Sequence, residues 1–151
     1  MKILYLGASS ESSTSRHRAN ALIRLGHEVT IADPYLALHK NLSHKILNAI
    51  HFRTGYLLLR NLIFNWLKHQ SKIIDEHDLV WIDSGELFGP KCIKMLEKNG
   101  RKVILYNHDD PTGTRDGRRF YSLIKSIPYY SLCAVVREEN VNEFYKKKKK
   151  K

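Results

Sequence analysis

Two cysteines, Cys92 and Cys133, are all the chain has, and no histidine or cysteine stands at metal-ligand spacing around them. Both lie in apolar stretches, so they read as buried free thiols in a reducing compartment, and no bound metal is expected. Long apolar runs are missing too: none approaches the ~20 residues of a membrane-spanning helix. The opening Met1-Lys2-Ile3-Leu4-Tyr5-Leu6-Gly7 is too short for a secretory h-region and lacks a cleavage site. A cytoplasmic protein is expected. Acidic residues are outnumbered, 15 against 26 lysines and arginines, for a formal charge of +11. Six of those charges are Lys146 to Lys151, which leaves +5 over residues 1–145. That balance suits phosphate-bearing ligands or an anionic surface, and equally an ordinary basic surface; it does not make nucleic acid a partner. Two phosphate fingerprints are absent as well. Ser9 and Ser12 occupy the positions that would complete G-x-G-x-x-G after Gly7, and no G-x-x-x-x-G-K-[ST] occurs. Ordinary nicotinamide and P-loop enzymes are thereby disfavoured.

What is present is enough for one domain with a sizeable core: 151 residues, 42% of them hydrophobic. No internal repeat or linker interrupts residues 1–140. Strands are expected at Lys2–Ala8, Glu28–Asp33, Asp78–Asp83, Lys102–Tyr106 and Leu132–Val136. Between them the pattern predicts helices at Arg16–Leu25 (Ser15 as N-cap, Gly26 as C-cap), Pro90–Lys98 and Arg115–Ser126. A further helix starts at Val141, with Asn140 as its cap. A long helical region covers Ser43–Asp75, with a break near Thr54-Gly55. In it, Ala49, Phe52, Tyr56, Leu59, Ile63 and Trp66 share a face. Ile50, Leu57, Leu58 and Phe64 lie off that face, so this region is either deeply buried or in contact with a membrane surface or another chain. Strands that are continuously apolar and alternate with helices define an α/β fold: a doubly wound parallel sheet of about five strands with helices on both faces.

In such a sheet the loops at the carboxyl ends of the strands share one crevice. Here those loops carry Gly7 to Ser15, Asp33-Pro34-Tyr35, Ser84-Gly85-Glu86 and His108-Asp109-Asp110. Gly7 either lets backbone amides approach a phosphate or sugar, or simply makes a tight turn. Ser9, Ser10 and Ser15 either bond sugar hydroxyls or are solvated, and Arg16 follows them. His108 has the basicity for proton transfer near neutrality, and is otherwise a surface or core histidine. Asp109 and Asp110 are adjacent and point apart, so one can take a proton from a hydroxyl while the other caps Thr112, Gly113 or the next helix. Arg115, Arg118 and Arg119 can grip phosphates, or lie on a solvated helix face. Glu86 is a candidate ligand contact.

The opening Lys2–Gly7, the segment Thr14–Ala19 with Ala21-Leu22, and Leu25-Gly26-His27-Glu28-Val29 resemble the first βαβ unit of GT-B glycosyltransferases. Tyr106–Pro111, Arg118-Arg119-Phe120, Ile127–Tyr130 and Val135–Val141 narrow the resemblance to the CgeB-like, spore maturation type group. It spans nearly all of residues 1–145. The resemblance implies a Rossmann-like N-terminal, acceptor-side half of an enzyme that moves a sugar from a nucleotide-sugar to an acceptor hydroxyl on a glycan or protein. It implies no bound metal or other cofactor, Gly7 and its loop near the donor phosphates, and His108 or Asp109 at the acceptor hydroxyl. The other expected partner is the C-terminal half that binds most of the donor. That half is absent from the sequence, so the isolated chain is expected not to turn over. Lys146–Lys151 stand where the family continues. A lysine run has A-rich codons that favour loss of frame, so the end reads either as a truncation near Tyr145 or as a native basic tail. The tail, residues 146–151, is expected to be disordered or a fraying helix end. As a native tail it would add roughly 1 kcal/mol per lysine at an anionic membrane. The rival reading is a non-catalytic binding module or subunit, recruited by that tail to a membrane or a partner chain.

Overall fold

The computed structural model describes residues 1–149. Five strands, β1 (Lys2–Leu6), β2 (Glu28–Ala32), β3 (Leu79–Asp83), β4 (Lys102–Asn107) and β5 (Leu132–Val135), form one sheet in the order β2-β1-β3-β4-β5. Every pairing is parallel. This is the α/β, doubly wound architecture that the alternating elements predict. The chain reverses direction across the sheet between β1 and β3, and that switch point is where such sheets hold ligands.

The connections are helical: α1 (Thr14–Arg24), α2 (Pro34–Ala37), α3 (His39–Leu42), α4 (Lys45–Arg53), α5 (Arg60–His69), α6 (Ser71–Asp75), α7 (Pro90–Leu96), α8 (Tyr121–Ser126) and α9 (Glu138–Lys148). Helix α1 packs on one face of the sheet, where its Ser15 carbonyl meets Tyr5, and α5, α7 and α8 pack on the other. On the latter face, Leu4, Leu6, Val80, Ile82, Val103 and Leu105 meet Leu59, Ile63, Leu67, Ile93, Leu96 and Leu123 in the main core. Each such side chain contributes roughly 1.5–3 kcal/mol on burial. The opposite face is more aromatic. Trp81 stacks between Tyr5 and Tyr106, with centroids 6.4 and 6.0 Å away.

Several boundaries differ from the sequence pattern, each for a local reason. Ser13, not Ser15, caps α1: its hydroxyl accepts from the Arg16 amide at 3.0 Å. Ser15 is buried instead, beside the Tyr5 hydroxyl. The long helical region breaks at Thr54-Gly55 as expected, but breaks again, giving α4, a 3-10 turn at Leu57–Leu59, α5 and α6. Tyr56, Leu59 and Ile63 are core, whereas Ala49 is exposed. The segment from Arg115 is turn-rich until α8 starts at Tyr121, because Gly117 takes the left-handed conformation and interrupts the helix. Asn140 does not cap α9. It is fully buried within the helix, and its side chain bonds Thr112 and the Asp109 carbonyl. Of the two states expected for the tail, its first lysines take the helix end: α9 runs through Lys148 and ends in Lys146, Lys147 and Lys148. Cations suit a helix C-terminus. Lys146 also pairs with Glu143 at 2.9 Å, and Lys148 donates to the Tyr130 carbonyl. The rest of the tail expectation, at Lys150 and Lys151, lies outside the described residues.

Candidate functional site

The loops after β1, β2, β3 and β4 deliver polar residues to the carboxyl edge of the sheet. At the end of β1, Gly7 is buried, and a Cβ there would lie 2.4 Å from Ser15 Oγ and 2.8 Å from the Tyr5 ring. Glycine is therefore required by the packing of α1 on β1. Ser9 is held by Asp33, whose Oδ2 accepts from the Ser9 amide at 2.7 Å and its hydroxyl at 2.8 Å. The other Asp33 oxygen caps α2 through the Tyr35 and Leu36 amides. One carboxylate thus fixes the loops after β1 and β2 to each other. Ser10 is exposed at the crevice and meets Ser12 at 3.1 Å. Arg16 follows in the first turn of α1, with Nε buried and unbonded among the described residues.

The end of β3 is the most constrained part of the edge. Ser84 and Gly85 both have positive φ, 66° and 81°. Such a conformation costs a non-glycine residue about 1–2 kcal/mol and clusters at functional sites. At Gly85 a Cβ would sit 2.6 Å from Leu105, so neither space nor backbone admits a side chain. The turn is held by Asn107 at the end of β4, whose buried amide donates to the Ser84 carbonyl at 2.8 Å. It projects Glu86 inward.

Glu86 is only 4% exposed. Arg119 Nε donates to its Oε2 at 2.5 Å and Tyr35 donates to its Oε1 at 3.2 Å. Burial raises the Glu86 carboxyl above its usual range, and the Arg119 charge offsets part of that rise. Burial alone would lower Arg119, but the charge of Glu86 reverses the shift and raises it. The same burial lifts Tyr35 and Tyr56, and the Glu86 charge beside them lifts both further. Arg119 reaches on to Asp109 at 3.7 Å and Asp116 at 3.6 Å, and lies over the Phe52 and Phe120 rings. Asp109 also accepts from the Ser84 hydroxyl at 3.3 Å, and its other oxygen lies 3.9 Å from His108 Nε2. His108 itself is exposed. Asp110 turns away and accepts from the Gly113 amide at 3.0 Å. The two adjacent aspartates thus divide as their opposed directions require: Asp109 faces the crevice and Asp110 holds the turn.

The structure brings Glu86, His108, Asp109 and Arg119 into one connected cluster, with Ser9 and Ser10 on the neighbouring loops. It does not bring Arg115 and Arg118 there. Both are exposed and line an adjoining groove, which shares Asn48 with the hollow beside the cluster. Beside the cluster, Ala8, Ser10, Asp33, Tyr35, Asn48 and Tyr56 are among the residues that line a hollow of about 440 Å3. Such a volume is in the range that holds small ligands. Tyr56 is a site residue that its place on an apolar stripe hides. Arg18 and Asp83 also escape the motif reading: they form a two-pronged pair, both contacts 2.8 Å, with Arg18 over the Tyr106 ring. Among the described residues no group of three His, Cys, Asp or Glu side chains converges as a metal site. No helix among them is long and apolar enough to cross a membrane.

Fold and crevice together define an α/β domain with an acid–base and cationic cluster beside the switch point of a parallel sheet. No family model matches the chain, and no curated protein matches it.

Proposed function

We propose that this domain is the acceptor-side half of a GT-B type sugar transferase, in which a second Rossmann-like half supplies most of the nucleotide-sugar site. The observation that carries the reading is the cluster of Ser84, Glu86, His108, Asp109 and Arg119 at the carboxyl ends of β3 and β4, next to the β1/β3 switch point. The resemblance of residues 106–141 to the CgeB-like group supports the same reading. His108 takes the proton from the acceptor hydroxyl as that oxygen bonds to the anomeric carbon and the bond from that carbon to the donor's phosphate oxygen breaks; the nucleotide leaves with that electron pair, and Asp109 stabilises the imidazolium that results. Arg119 and Glu86 hold Asp109 and Tyr35 in place, and the exposed Ser10 bonds acceptor hydroxyls from the adjoining loop. Short oligosaccharides and nucleoside-diphosphate sugars, each titrated into the labelled chain, test this by amide NMR. Oligosaccharides are expected to shift Ser10, Ser84, Glu86 and Asp109, with loss of the shifts in His108→Ala plus Asp109→Asn. Shifts confined to other parts of the chain would overturn the reading. So would transfer activity in the 151-residue chain alone, since the reading leaves that chain without a complete donor site.

A second reading is a non-catalytic module on a membrane or partner. It is favoured by the exposure of Ile46, Ile50, Leu58 and Leu62 on the outer helices. Unchanged co-sedimentation with anionic vesicles on replacing these four by serine would remove its support.

A further inference from the structure

The groove that holds Arg115 and Arg118 has its own architecture. One wall is α4, whose Lys45, Asn48, Ala49, Phe52 and Arg53 fall at the three- and four-residue spacing of a single helical face. The other wall is the turn that carries Arg115, Asp116, Gly117 and Arg118. The space between them is about 610 Å3. Four cations from two distant segments therefore surround one concavity with an apolar floor at Ala49 and Phe52.

Their charge is not cancelled locally. None of Lys45, Arg53, Arg115 and Arg118 takes part in an ion pair among the described residues. The one carboxylate of the lining, Asp116, is engaged by Arg119 at 3.6 Å. Gathering like charges around a hollow is unfavourable unless an anion occupies it. The walls are also fixed relative to each other. Gly55 packs so closely on the Arg118 carbonyl that a Cβ would lie 2.4 Å from that oxygen, and the same carbonyl accepts from the Tyr121 amide at 2.9 Å. The arginine turn is thus tied to the end of α4.

We propose that this groove is an anion site that takes a phosphate ester, with the phosphate between the α4 cations and Arg115 and Arg118, and the organic part along Ala49 and the side of Phe52 that Arg119 leaves uncovered. The site stands independently of the sugar-transfer reading. Its phosphate can belong to a soluble ester or to a lipid headgroup, and the experiment separates the two. Calorimetric titration of the full chain with inorganic pyrophosphate is compared with Arg115→Gln plus Arg118→Gln, with Lys45→Gln plus Arg53→Gln, and with Lys146→Gln plus Lys147→Gln. Five of the six positions are exposed and Lys147 is half-buried, so the substitutions leave the core untouched. Either groove pair is expected to weaken binding about tenfold or more, and the tail pair by no more than about twofold. Parallel sedimentation uses phosphatidylglycerol vesicles. Sedimentation that is lost in the groove variants and competed by pyrophosphate assigns the phosphate to a lipid headgroup. Pyrophosphate binding without sedimentation assigns it to a soluble ester. Equal weakening by the groove and tail variants, or no binding of either probe by the unaltered chain, overturns the proposal.

Discussion

Glu86 couples the candidate site to pH. Its carboxyl is raised above the ordinary 4.5 because burial penalises the ion more than Arg119 stabilises it. The folded chain therefore keeps this proton to higher pH than the unfolded chain does. The stability gained from protonation is fully present below about 4.5 and is lost as pH rises through the raised folded value. The difference in stability between the unaltered chain and Glu86→Gln is expected to fall over that window and then level off, as read from urea midpoints at a series of pH values. A difference that rises with pH would mean that Arg119 dominates instead. The sequence shows Glu86 only as one acid in a loop. Its pairing with Arg119 crosses 33 residues of chain, and no local spacing reports such a contact. The division of labour between Asp109 and Asp110 was legible, because adjacent residues on extended backbone must diverge. Arg119 and Arg118 look alike in sequence, yet one is half-buried against Glu86 and the other is exposed.

At the scale of elements, α4 is the least self-explanatory. Its face mixes lysine, asparagine, alanine, phenylalanine and arginine, and hydrophobic period alone does not say which side turns inward. The strands were readable because both faces are covered, which demands continuous apolar residues. The break after α4 was readable because Thr54-Gly55 is turn chemistry. That break has a steric basis: Gly55 has φ of 66° and lies against the Arg118 carbonyl. Gly55→Ala is expected to cost about 2–4 kcal/mol, more than a typical substitution, because backbone strain and a clash with backbone combine. The loss should appear in urea unfolding. The same variant should weaken pyrophosphate binding, since the two groove walls meet at this contact. A loss below about 1 kcal/mol would show that the turn relaxes freely.

Across the whole molecule, the two thiols report on global integrity. Cys92 is buried as expected, whereas Cys133, on the last strand of the sheet, is only half-buried. Burial still pushes both up to about 11, so little thiolate exists at neutral pH. Alkylation by iodoacetamide at neutral pH is expected to be slow in the folded chain and to accelerate sharply through the unfolding transition. Rapid labelling of Cys92 under native conditions would show local opening of α7. The parallel sheet has a consequence of another kind, in time rather than in energy. No two neighbouring strands are joined by a hairpin, and the central pair, β1 and β3, brings Lys2 to Asp78 across just over half the chain. Closing so long a loop precedes any reward from the contacts it makes. Assembly of the chain therefore waits on its centre. The ladder that creates the switch point is the one the polypeptide must search longest to find, and the crevice comes into being only when that search ends.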